Sequence, residues 1–328
     1  MNKRILLLNP AHFTRNKTSP NIGDLIISRA IERELHSIFG EDCQIINRPS
    51  HSYLSLTDIK LFKSVDHIIV GGSNLLWFRF FPRASFRIGL LGILFYRKLI
   101  LLGVGWGSYK LQKVGIWSKF ISKLIFSKTN IHSVRDEFTA NLSREKLGLK
   151  NTINTVCPTL WFWLNKNSKD YRVNKGERCI FSLTDYDKDR ENDLKLINEL
   201  NKAYKKNNIY FWPQGAGDTA YVKSLGYDGI IIERNLESLI KFYKEIIPTD
   251  YIGTRLHAGV LALEHNIRTL IIKIDNRANE IAKDTGLQII DRVSLNGLNK
   301  WIECSPETNI KLPKENILRW KSQFKKYE

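Results

Sequence analysis

The chain has 328 residues, 43% of them hydrophobic, which excludes whole-chain disorder and suits two domains better than one. Lys and Arg total 51 against 33 Asp and Glu, a net charge of +18 that attracts anionic partners as a class. The longest apolar stretch, residues 75–109, is broken by Arg79, Arg83, Arg87, Arg97 and Lys98, so no window of about 20 residues can span a bilayer.

The opening MNKRILLLNP has too short an apolar run for a signal peptide, and cytoplasmic residence is the expectation. Cys43, Cys157, Cys179 and Cys304 show no metal-ligand spacing and are expected as buried, reduced thiols. The histidines form no HExxH or comparable pair, so no bound zinc is expected.

Short apolar runs predict strands over residues 4–8, 44–47, 66–70, 99–103 and 131–134, with helical periodicity over 24–39, 117–126 and 136–147. This βαβ alternation ends a first lobe near residue 164, and the polar stretch 165–178 is expected as a linker. Alternation restarts in a second lobe over 179–312, with strands CIFSL, IYFWP, GIIIE, DYIG, RTLIIKI and LQII and helices over 193–204, 236–246 and from Arg255. Residues 313–328 read as a separate basic helix. The fold class is α/β: two Rossmann-like doubly wound lobes facing a central cleft, resembling the GT-B glycosyltransferase fold, with ligands expected at the carboxyl ends of the strands.

Five motifs fall at such strand ends. Asn21-Ile22-Gly23-Asp24 precedes a helix and fits either an ordinary N-cap or a loop presenting N–H groups to an anion. Gly71-Gly72-Ser73 follows the strand HIIV and fits a tight turn or a close backbone approach to a ligand. The run Gly103-Val104-Gly105-Trp106-Gly107 is not GxGxxG, which disfavours a nicotinamide cofactor. Arg135 stands between a strand and a helix, where its planar fork suits a phosphate or carboxylate, or an ion pair with Asp136 or Glu137.

The fifth motif, Thr254-Arg255-Leu256-His257, opens an apolar helix directly after the strand DYIG. Arg255 supplies an anion clamp and His257 a group that moves protons near neutral pH.

The ordered set NIGD, VGGS, SVRD and GTRLHA, closed by IKIDNRANEIAKDTGL, resembles the polysaccharide pyruvyl transferase family across nearly the whole chain. The resemblance implies transfer of the enolpyruvyl skeleton of phosphoenolpyruvate onto a sugar of a surface polysaccharide or its lipid-linked precursor, forming a pyruvate ketal. It places Arg255, Leu256 and His257 at the donor site, Arg135 as a second contact to phosphoenolpyruvate, and Asn21 and Asp24 in the N-terminal loop. Phosphoenolpyruvate is then a substrate and no cofactor is implied. Cys157-Pro158 stands where the family often has Asp-Pro, and Asn276-Arg277 stands for its usual Pro-Lys.

The chemistry asks for the same residue types, with His257 as general acid/base, Arg255 and Arg135 as anion clamps, and Gly23, Gly71, Gly72, Ser73, Gly105 and Thr254 lining the substrates. A sugar-nucleotide glycosyltransferase is the alternative on the same fold. A nucleic-acid partner is not expected, since no binding motif accompanies the charge.

Two segments mix basic and aromatic residues. Arg79, Arg83 and Arg87 recur among Trp77, Phe78, Phe80, Phe81 and Phe86, with Pro82 interrupting. WSKFISKLIF separates Trp117, Phe120, Ile121, Leu124 and Ile125 from Lys119 and Lys123, the pattern of a core-facing amphipathic helix, shared by basic helices on anionic membranes. A membrane surface would suit a lipid-linked acceptor.

Overall fold

The computed structural model describes residues 2–14, 17–56, 58–76, 86, 89–96, 98–107, 109 and 114–325. The basic and aromatic stripe expected over 77–87 lies, apart from buried Phe86, outside the described residues. The chain divides into two compact units, residues 1–19, 27–161 and 312–328 in the first, and 20–26 and 162–311 in the second.

The first unit is built on β1 (Arg4–Asn9), α1 (Ile22–Phe39), β2 (Gln44–Pro49), α2 (Asp58–Lys63), β3 (His67–Gly71), α3 (Leu90–Phe95), β4 (Ile100–Leu102), α4 (Ile116–Ile125), β5 (His132–Val134), α5 (Glu137–Leu142) and β6 (Thr152–Asn154). The strands β2-β1-β3-β4 form one parallel sheet, and a parallel bridge between Val104 and Val134 leads on to the parallel pair β5-β6. Ile5 to Leu8 are wholly buried, which is why β1 reads as an unbroken apolar run rather than an alternation. The helix expected over 136–147 is divided into α5 and a π turn over Ser143–Leu147.

Helix α4 departs from the core-facing expectation. It packs through Ser118, Ser122 and Ile125, while Trp117, Phe120 and Leu124 are exposed. Two small serines let the helix lie close to the core, and the larger apolar side chains turn outward.

The second unit runs β7 (Arg178–Ser182), α6 (Arg190–Ala203), β8 (Ile209–Phe211), α7 (Asp218–Ser224), β9 (Ile230–Ile231), α8 (Leu236–Tyr243), β10 (Thr249–Gly253), α9 (Leu256–Glu264), β11 (Arg268–Lys273), α10 (Asn276–Thr285), β12 (Ile289–Asp291) and α11 (Leu298–Glu303). Its parallel sheet has the order β9-β8-β7-β10-β11-β12, so the winding direction reverses between β7 and β10. In such sheets the crevice outside the carboxyl ends at the reversal is the binding position.

A buried ion pair holds the opposite end. Arg268 donates to both oxygens of Asp250, at 2.8 and 2.6 Å, and to the carbonyls of Trp301 and Ile302. Asp250 also accepts from the Tyr204 hydroxyl and the Gly176 amide, so both charges are satisfied.

Two expected boundaries change. The stretch 165–178 is no linker: it is folded into the second unit, where buried Tyr171 donates to the Leu263 carbonyl at 2.6 Å and Arg172 to the Thr249 carbonyl at 2.7 Å. Its anchors bind backbone oxygens, which leave no apolar periodicity to read. The basic segment at the end is not separate either. Helix α12 (Lys314–Ser322) belongs to the first unit, with Ile317 and Trp320 fully buried and the Trp320 ring 5.9 Å from that of Trp161. Of the cysteines, Cys43, Cys157 and Cys179 are buried but Cys304 is exposed.

Candidate functional site

Asp218, the first residue of α7, is completely buried. It accepts from Arg255 Nε at 2.9 Å and from Arg255 Nη2, from the amides of Gln214 and Gly215 at 3.0 and 2.7 Å, and from the Asp185 amide at 3.0 Å. One carboxylate thus ties together the segments that follow β7, β8 and β10, at the reversal of the sheet. Burial raises the Asp218 pKa above the ordinary carboxylate range. Asp185 is held below it in spite of burial, by its hydrogen-bonded interaction with Asp218 and by Arg255, whose Nη2 is 2.9 Å away.

Arg255, only 3% exposed, also donates to the Leu183 carbonyl. Its Nε and Nη2 are therefore spent on protein acceptors, and among the described residues Nη1 is the nitrogen of this fork without a hydrogen bond. The Tyr186 ring covers the guanidinium at 5.0 Å. On its other contacts Tyr186 meets Arg277, whose guanidinium lies 6.0 Å from the ring and donates to the hydroxyl. Asp275, the N-cap of α10, orients Arg277 through a 2.7 Å bond to Nε.

Arg255 is the N-cap of α9 and offers its first turn no side-chain cap. Within that turn His257 is buried and Leu256 half-buried. Thr254 is committed to the sheet, its amide donating to the Ser182 carbonyl at 2.9 Å and its hydroxyl 2.8 Å from that of Thr184.

The NIGD loop meets this cluster through Gln214. Asn21 Oδ1 accepts from Gln214 Nε2 at 2.9 Å and caps α1 through the Gly23 amide at 3.2 Å, so both of its lone pairs are in use. The Ile22 amide donates to the Gln214 carbonyl. A side chain at Gly23 would put Cβ 2.7 Å from Gln214 Nε2, so the Gln214 amide would have to shift from its place against Asn21. Asp24 is half-buried in the same turn.

The remaining predicted residues lie in the first unit. Arg135, 2% exposed, donates from Nη1 to Asn74 Oδ1 at 2.7 Å and from Nη2 to the Tyr109 hydroxyl at 2.6 Å, and Tyr109 in turn donates to Asp136. Gly105 forms the floor of this guanidinium, since a Cβ there would lie 2.4 Å from Arg135 Cζ. Asp136 caps α5 through the Thr139 amide, which fixes Arg135 at the end of β5.

Gly71 and Gly72 serve packing. A Cβ on Gly71 would lie 2.8 Å from Ile31 Cδ1 and one on Gly72 2.2 Å from Ile27 Cγ2, so both let α1 approach the sheet. Gly72 and Ser73 both have positive φ, +54° and +58°, and the Ser73 carbonyl accepts from Gly105 at 2.8 Å. This turn thereby carries Asn74 to Arg135.

Sequence reasoning passed over Asp185, Tyr186, Gln214, Asp218, Asn74 and Tyr109. A signal existed for some: Gln214-Gly215-Ala216-Gly217-Asp218 follows a strand and opens a helix. Its glycines are needed, because a Cβ on Gly215 would meet Arg255 Nη2 at 2.3 Å and one on Gly217 would meet Asp185 Oδ2 at 2.2 Å.

The family described as polysaccharide pyruvyl transferase matches residues 21–276. The UDP-GlcNAc 2-epimerase of Methanocaldococcus jannaschii is similar in structure, with a TM-score of 0.53 and 16% identity over 97% of this chain and 99% of that one. The same enzyme in complex with UDP-GlcNAc and UDP gives a TM-score of 0.52 at 14% identity over the same shares. At these identities the likeness shows the fold alone, the α/β type of this epimerase. No curated protein sequence matches the chain. The family match runs from Asn21 through Arg135 to Arg255, Leu256 and His257 and on to Asn276, most of the chain's length, and the chain belongs to the polysaccharide pyruvyl transferase family.

Proposed function

We propose that this chain transfers the pyruvyl skeleton of phosphoenolpyruvate to two hydroxyls of one sugar, in a surface polysaccharide or its lipid-linked precursor, and releases phosphate. The observation that carries the reading is the family match reaching through both arginine centres. In the reaction two C–O bonds form at the enol carbon and its bond to the phosphate oxygen breaks. Of the two hydroxyl protons, one ends on the methylene carbon, which becomes methyl, and the other on phosphate.

His257, on the first turn of α9, is the group proposed to move a proton. Arg255 Nη1, Arg277 and the uncapped start of α9 are proposed to hold carboxylate and phosphate. Arg135, the arginine centre of the first unit, is proposed to hold an anionic group of a substrate. The exposed Tyr186 ring, stacked on two guanidinium groups, offers a face to the sugar. The compartment proposed for the reaction is the cytoplasm, at the inner face of the membrane when the acceptor is lipid-linked.

The test is thermal stabilisation by phosphoenolpyruvate beside UDP-GlcNAc, with phosphate release assayed on candidate acceptors. Stabilisation by phosphoenolpyruvate that is lost in Arg277→Ala supports the reading. Stabilisation by the sugar nucleotide alone replaces it with a glycosyltransferase.

A further inference from the structure

Helix α4 shows water a face that its sequence does not lead one to expect in a soluble surface. Ile116 is 87% exposed, Trp117 77%, Phe120 53% and Leu124 41%. At 100° per residue these four fall within a sector of about 100°, while Ser118, Ser122 and Ile125 occupy the sector that packs on the core. Lys119 and Lys123, both exposed, border the apolar sector on one side. Their Cε atoms lie within 3.6 and 3.0 Å of where a Cβ on Gly148 would stand, so the two stems run along the same flank. The helix has no acidic residue. Leu94 is half exposed on α3, a helix that packs against α4.

We propose that α4 is an interfacial anchor that seats the first unit on an anionic phospholipid surface. Trp117 and Phe120 enter the boundary between headgroups and acyl chains, where an amphipathic ring is favoured, and Lys119 and Lys123 meet the anionic headgroups. Charge complementarity selects this partner over a second copy of the chain, since two such helices would bring four lysines together with no carboxylate of either helix between them, in a chain already at +18. The anchor lies flat and spans nothing, in keeping with the finding that no described helix is long and apolar enough to cross a membrane. It stands independently of which donor the enzyme uses.

The experiment is sedimentation of the full chain with vesicles of phosphatidylglycerol mixed with phosphatidylcholine, and with phosphatidylcholine alone, at low and high salt. Binding is expected to the anionic vesicles at low salt and to be weakened by salt. Trp117→Ser with Phe120→Ser, and separately Lys119→Glu with Lys123→Glu, should each lower the partition coefficient by about tenfold or more with an unchanged melting temperature. No sedimentation with anionic vesicles at low salt, or equal binding by wild type and both variants, overturns the proposal. So does a wild-type dimer in light scattering that Trp117→Ser with Phe120→Ser converts to monomer without any loss of vesicle binding.

Discussion

Asp218 binds the Arg255 guanidinium with both carboxylate oxygens while two amides of its own loop and one from the neighbouring strand end donate to the same oxygens. Arg255 is thereby immobilised at the reversal of the sheet. A fork held in this way loses little rotamer freedom on binding, which is the advantage of preorganisation.

Removing this carboxylate should cost far more than removing its part-buried neighbour Asp185. Asp218→Asn leaves Arg255 buried with a single charged partner, and a loss of about 3–5 kcal/mol is expected. Asp185, whose side chain is 28% exposed, should cost about 1 kcal/mol as Asp185→Asn. Urea unfolding followed by circular dichroism measures both, and equal losses would show that Asp218 does not organise the cluster.

Gly105→Ala places a methyl group on the Arg135 guanidinium. The side chain must leave Asn74 and Tyr109, and a displacement of about 1 Å can cost about 100-fold in turnover. Phosphate release should fall on that scale while the melting temperature changes by only a few degrees. Wild-type turnover in the variant would remove Arg135 from the reaction.

Arg277 and Tyr186 should act on donor affinity. Arg277→Ala removes a guanidinium that contacts the ring covering Arg255 and should raise the KM for phosphoenolpyruvate about tenfold or more, with a smaller effect on kcat. Tyr186→Phe keeps the ring and loses only the hydroxyl bonded to Arg277, so it should be milder. A Tyr186→Phe defect as large as that of Arg277→Ala would shift the role from the ring to its hydroxyl.

His132 predicts a pH dependence. Burial pushes its pKa down to about 4, opposed by the bond between Nε2 and the Ser127 carbonyl at 2.8 Å. The unfolded chain has a value of about 6.5, so between these values it binds a proton that the folded chain does not. The contribution is complete above about pH 6.5 and is lost as the pH falls toward about 4. Stability measured by denaturant at pH 7 and pH 5 should fall in the wild type and fall less in His132→Gln, where the side chain cannot titrate. Identical slopes would assign the effect to another group.

Much of the fold is legible along the chain because a parallel strand covered on both faces is apolar throughout. Residues such as Ile5 to Leu8 announce themselves, and the end of each strand marks where a ligand-facing residue can stand. Arg135 and Arg255 stand at the ends of β5 and β10 as that rule expects. The linker misread at 165–178 shows the limit, since Tyr171 and Arg172 are anchored by single bonds to distant carbonyls that follow no period.

What the sequence by itself determined is the class of fold, the strand ends and the family. Periodicity is local, and so is a motif. Only the tertiary structure decided that Asp218, 37 positions before Arg255, is its partner, that Gln214 receives Asn21, and that Trp117 and Phe120 face solvent. Those relations depend on which loops the crossovers bring side by side, and on which face of a two-faced helix finds the smaller side chains to pack. Neither is written in the spacing of residues along one segment.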